Sequence, residues 1–188
     1  LYTVLPDGTS NNKVSGFLTV GGNVSSAYIG FWAPNSSRLA FVANKNSSLV
    51  FELYTTLPDG TGSPVTVSGS METDENVEKD EYYWAPDSSR IAYHADQDTE
   101  GIKELYTVLP DGTGRVKVSG TIPHVIGEDY SHKWSSDSTR IAFTSDPTNN
   151  NLEELYTTFP DGTGTPIKVS GSLAVGTDSG VSMFQFAP

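Results

Sequence analysis

The chain has 188 residues, no cysteine and a formal net charge of −12. Without cysteine there is no disulfide, thiolate metal centre or cysteine nucleophile, and the acidic balance disfavours nucleic acid and anionic lipid, which bind through basic patches. No apolar run reaches the roughly 18 residues that a membrane helix needs, so no membrane insertion is expected.

Leu1 opens the phrase LYTVLPDGT, which returns as LYTTLPDGTG at Leu53, LYTVLPDGTG at Leu105 and LYTTFPDGTG at Leu155. Between these copies runs a second phrase: FWAPNSSRLAFVA from Phe31, YWAPDSSRIAYHA from Tyr83 and KWSSDSTRIAFTS from Lys133, with a cut-off copy, FQFAP, at the end. Its central aromatic falls at Trp32, Trp84, Trp134 and Phe186, giving spacings of 52, 50 and 52 residues. A period near 50 residues with turn signals in every unit indicates a solenoid, a propeller or a linear array.

One unit, Glu81 to Gly120, decides among them. EYYWA is a first strand that stops at Pro86, which cannot donate to a ladder. PDSSR supplies turn residues, and RIAYHA makes a second strand of alternating small and large apolar residues. After the loop DQDTEGIK comes ELYTVL, a third strand. PDGTG follows as a hairpin signal, because Asp-Gly offers the positive φ of a tight turn, and RVKVS is the fourth strand. Helical periodicity is absent throughout the unit. The sequence therefore predicts an all-β chain of four-stranded antiparallel meanders, the blade unit of a β-propeller.

The ordered pattern of W-A/S-P-D-x-x-R-I-A-F, a polar loop, E-L-Y-T and D-G-T-G resembles the TolB-like propeller repeat, also seen in the propeller domains of prolyl oligopeptidase relatives. It covers nearly the whole chain. Ser-Ser or Ser-Thr stands where that family often has Gly after the Asp, and Asn35 replaces the Asp in the first copy.

Residues 1–188 are read as one propeller or propeller arc, with blades at about 28–68, 81–119 and 131–170. The segments 1–17 and 182–187 are expected to be the outer pair and the inner strand of a split blade that lacks its second strand. Either the array is an excerpt from a longer one, or another chain completes it. An upstream export signal would lie outside this sequence, and the acidic, Ser/Thr/Asn/Gly-rich surface suits an extracellular or periplasmic setting.

The repeated residues are expected to be structural. Trp32, Trp84 and Trp134 should pack between blades, while Arg38, Arg90 and Arg140 should pair with turn carboxylates such as Asp59, Asp111 and Asp161. Asp96, Asp98 and Glu100 begin a loop of calcium type, but its twelfth position is Thr107 where a bidentate Glu is needed. Calcium is the single cofactor candidate. His94, His124 and His132 lack the spacing of zinc ligands, although His132 follows Glu128 and Asp129 at an inner-strand entry. Sequons at Asn23, Asn35 and Asn46 are candidate glycosylation sites, and no G-x-S-x-G elbow is present.

The expected function is a noncatalytic extracytoplasmic propeller module for protein interaction or assembly, with copies of itself joining head to tail by strand addition. The alternatives are the propeller portion of a larger peptidase-like enzyme and a calcium-dependent adhesive domain.

Overall fold

A computed structural model describes residues 1–25, 31–47, 49–122, 132–148, 152–173, 180–181 and 184–187. Among them every regular element is a strand: β1 (Tyr2–Thr3), β2 (Asn12–Lys13), β3 (Phe31–Trp32), β4 (Leu39–Ala43), β5 (Glu52–Thr56), β6 (Val65–Thr66), β7 (Val77–Trp84), β8 (Ile91–Ala95), β9 (Glu104–Val108), β10 (Val116–Lys117), β11 (His132–Trp134), β12 (Ile141–Ser145), β13 (Glu154–Thr158) and β14 (Ile167–Lys168). They form three four-stranded antiparallel meanders, β3-β4-β5-β6, β7-β8-β9-β10 and β11-β12-β13-β14, preceded by the two-stranded sheet β1-β2.

Within each meander the second strand carries a central aromatic flanked by smaller residues, with His94 the larger exception, and alternation sends the aromatic and its flanking residues to opposite faces. Phe41, Tyr93 and Phe143 stack on the cross-strand tyrosines Tyr54, Tyr106 and Tyr156 with ring centroids 5.5 to 5.6 Å apart. These aromatic pairs face the preceding blade. The small face of each blade receives the aromatic face of the next: Ala40, Val42 and Leu53 meet Tyr93 and Tyr106, and Ala92 and Leu105 meet Phe143 and Tyr156. The core is thus distributed between blades rather than inside any one of them.

Polar contacts repeat with the same offset. Thr3, Thr55 and Thr107 each donate their hydroxyl to the proline carbonyl of the next blade's PDG turn, at Pro58, Pro110 and Pro160, over 2.5 to 2.6 Å. The backbone N–H groups of Asn35 and Asp87 donate across the blade boundary to Ser88 Oγ and Ser138 Oγ, each at 3.0 Å. This explains the serines that replace glycine. Ser36, Ser88 and Ser138 sit at φ of 61°, 66° and 62°, a region that costs a side chain about 1 kcal/mol, and at Ser88 and Ser138 the hydroxyl offsets that strain by joining two blades.

The structure departs from the sequence reading at three places. The first strand of the second blade does not start at Glu81: β7 begins at Val77 and carries a register shift between Val77 and Tyr82, because Val77 is buried and Lys79 lies 3.9 Å from the centroid of the Phe51 ring. The PDGTG segments do not close two-residue hairpins either, since β5 ends at Thr56 and β6 starts at Val65. The Asp side chain braces a backbone turn: Gly60 N–H donates to the Leu57 carbonyl at 3.1 Å, and Asp59 Oδ1 accepts from both the N–H and the hydroxyl of Thr61, at 2.9 and 2.8 Å. Finally, residues 184–187 carry no strand, although Lys133 on β11 donates to the Phe184 carbonyl at 2.9 Å. Residues 182 and 183 of the expected inner strand lie outside the described set.

Candidate functional site

The repeated aromatic does not serve one purpose in every copy. Trp84 is buried between blades, whereas Trp32 is 49% exposed. The reason is its neighbour: among the described residues the sheet before β3 is the pair β1-β2 alone, and no further strand covers the ring. Trp32 instead borders an apolar groove of about 320 Å³ with Val4, Leu5 and Pro58. Trp134 is half-buried and donates Nε1–H to the Tyr83 carbonyl at 3.1 Å.

The arginines make no ion pair among the described residues. Arg38 donates to Thr55 Oγ1 at 3.2 Å and Arg90 to Thr107 Oγ1 at 3.1 Å, while the Arg140 guanidinium lies 3.6 Å from the Phe159 ring centroid. The carboxylates expected to receive them are occupied by their own turns. Hydrogen bonds from Thr61, Thr113 and Thr163 hold Asp59, Asp111 and Asp161 below the usual carboxylate range, with Arg38 and Arg90 adding a smaller pull on Asp111 and Asp161.

In the β8–β9 loop, Asp96 accepts the N–H groups of Asn76 at 2.7 Å and Gly101 at 3.1 Å and faces Lys103 at 3.4 Å. Asp98 pairs with Lys117 at 2.9 Å, and Glu100 is exposed. Asp96 and Asp98 are thus directed at partners of the protein itself, and Glu100 faces solvent. Of the sequons, Asn46 donates Nδ2–H to Glu52 and to the Tyr54 hydroxyl, and Asn35 caps its own turn through Ser37 N–H. Asn23 is exposed, its N–H donated to Asn44 Oδ1.

The structure brings together a set that the sequence spacing did not suggest. His94 on β8 lies on the face of its blade that meets the next one, and His132 on β11 points back at it. Their rings meet edge to face with centroids 4.8 Å apart, and the Tyr83 ring closes on His132 at 5.1 Å. Glu81, at the end of the β7 bulge, completes the group: the ligand atoms of Glu81, His94 and His132 all lie within 4.8 Å of one another. Both histidines are buried. Burial drives the His94 imidazole far below its ordinary range, with His132 and Lys103 adding repulsion, and burial alone takes His132 down to about 3. Both rings are therefore neutral at pH 7 and have a lone pair to offer. His124, Glu128 and Asp129 lie outside the described residues.

Register comparison is the signal that finds this site. Position 94 is occupied by Val42 in the first blade and Thr144 in the third, and His132 stands where the second blade has Tyr82. Position 81 matches Ile29 and Ser131. Three registers at which every copy differs thus supply Glu81, His94 and His132 to one point between two blades.

Fold and repeat contacts together define an arc of propeller blades. Compared with family models and with curated protein sequences, the chain matches none. Among solved structures, one described as oligogalacturonate lyase in complex with manganese aligns with a TM-score of 0.47 and 18% identity, over 71% of this chain. The chain covers 33% of that protein's length.

Proposed function

We propose that the chain is a noncatalytic, extracytoplasmic propeller module of the TolB-like type that works by assembly, docking blade on blade with further copies of itself. The observation that carries this reading is the mismatch between the interfaces inside the array and the outer faces of its first and last described sheets. A Cβ at Gly60 or Gly112 would meet the Lys13 or Thr66 carbonyl of the preceding blade at 3.2 Å, and one at Gly162 would strike Val116, whereas one at Gly8 would meet nothing within 4 Å. At the other end, Val67 and Val118 are 1% and 2% exposed beneath the next blade, but their counterpart Val169 is 50% exposed and Ile167 is 53% exposed. The first PDG turn and the last outer strand are the two halves of the contact that the array makes internally.

Docking of this kind is heterologous, so repetition gives an open filament unless its rotation closes a ring. The acidic composition and the TolB-like repeat support an extracytoplasmic setting. Light scattering across a concentration series, followed by electron microscopy, tests the reading. Mass should rise with concentration, to a closed ring of a few chains where the blade rotation closes or through linear arrays where it does not, and Val169→Glu should hold the chain monomeric. A monomer at every concentration, or an assembly that Val169→Glu leaves unchanged, overturns it.

A further inference from the structure

We propose that Glu81, His94 and His132 form a site for a divalent first-row transition ion, zinc being the best match, which fastens the second blade to the third. Two neutral imidazoles and a carboxylate are the donor set of zinc and its neighbours, not of calcium, which takes oxygen ligands. Tetrahedral zinc at about 2.0 to 2.1 Å from its donors needs them roughly 3.3 Å apart. The 4.8 Å limit on the present separations is closed by side-chain rotation of Glu81 and a slight approach of the two rings.

The position argues for a ligand as much as the geometry does. Burying polar groups costs free energy, and the array builds the same interface elsewhere with Val42, Thr144 and Tyr82. Folding therefore does not require the polar trio. The three residues come from β7, β8 and β11, so an ion bound to them adds a coordination link between two sheets that otherwise meet through side-chain packing and a few hydrogen bonds. The nearby cation opposes this only weakly, because Lys103 pairs with Glu78 at 2.6 Å and Asp96 at 3.4 Å. Three protein donors leave one coordination position for water or an anion.

The full chain, stripped with chelator, is titrated with Zn²⁺ by calorimetry and with Co²⁺ by visible absorbance. One ion per chain should bind, the Co²⁺ complex should show the bands of a tetrahedral N/O site, and Zn²⁺ should raise the thermal midpoint. His94→Val and His132→Tyr install residues that the repeat uses at those registers, so both should fold. Each should weaken zinc binding more than about 100-fold, beyond the loss expected for an outer-sphere change. His124→Ala should bind as the parent does. If either histidine variant fails to fold, Glu81→Gln is read by the Co²⁺ bands, which should weaken and shift. A parent chain that takes up neither metal at micromolar concentration overturns the assignment, as do variants that bind like the parent or bands that Glu81→Gln leaves unchanged.

Discussion

Strands β9 and β13 read ELYTV and ELYTT, four of five residues being the same, and they occupy the same place in their blades. Their internal bonding matches: Tyr106 donates to Glu104 at 2.8 Å and Tyr156 to Glu154 at 2.6 Å, and Lys117 and Lys168 reach the same two carboxylates. Yet β9 is buried at all five positions, while Leu155 and Thr157 of β13 are only half-buried. The strand after each repeats the contrast, since Val116 and Lys117 of β10 are half-buried and Ile167 and Lys168 of β14 are exposed. A blade's own sequence builds its ladder; its neighbour decides whether that ladder is dry.

The sharpest way to break this comparison is to delete the same side chain from both strands. Leu105→Ala should cost about 3 kcal/mol, within the range for a large-to-small change in a closed core, whereas Leu155→Ala should cost about 1 kcal/mol because its surroundings are open to water. Urea unfolding of the two variants measures both, and equal losses would mean that burial is set within the blade. Next in size is the interblade hydroxyl. Thr107→Val leaves the Pro160 carbonyl without its donor and should cost about 1 to 2 kcal/mol, while Thr157→Val at low protein concentration should cost nothing measurable by the same assay.

A smaller effect separates the left-handed serines. Ser36 is exposed, so Ser36→Gly relieves its positive φ and should stabilise the chain by a few tenths of a kcal/mol. Ser88→Gly gains the same relief but loses the bond from Asn35 N–H, and should leave stability unchanged or lower. Differential calorimetry that finds equal gains at the two sites would deny the serine its role between blades.

The smallest effects are electrostatic. Asp7, Asp59, Asp87, Asp111, Asp137 and Asp161 are all held below the ordinary carboxylate range by hydrogen bonds from the residue two places on, and for Asp137, where Ser135 contributes most, the value falls to about 2. A carboxyl whose pKa is lower in the folded state adds stability above its unfolded pKa and loses it as pH falls through its folded pKa. Stability should therefore decline in small increments between about pH 4 and pH 2, and carboxyl chemical shifts followed by NMR should place each of the six below the pKa of an unfolded aspartate.

Much of the fold was legible because the repeat is strict: period, strand alternation and the Trp and PDG registers led directly to four-stranded meanders. The length of β7 was not, because Glu78, Lys79 and Asp80 look like a solvated linker until Phe51 and Lys103 of neighbouring elements are placed beside them. Nor was the exposure of Trp32, which depends on what the adjacent sheet lacks. The histidine cluster stayed hidden for a similar reason. His94 and His132 are far apart in sequence and in different blades, and only aligning the units shows that each replaces a residue of another kind.

Amide hydrogen exchange on β9 and β13, followed as the protein is concentrated, tests the role of the neighbour most directly. At low concentration β9 should be protected and β13 should exchange much faster, and the β13 rates should fall toward those of β9 as chains assemble. Equal protection of the two strands in the dilute monomer would contradict the account.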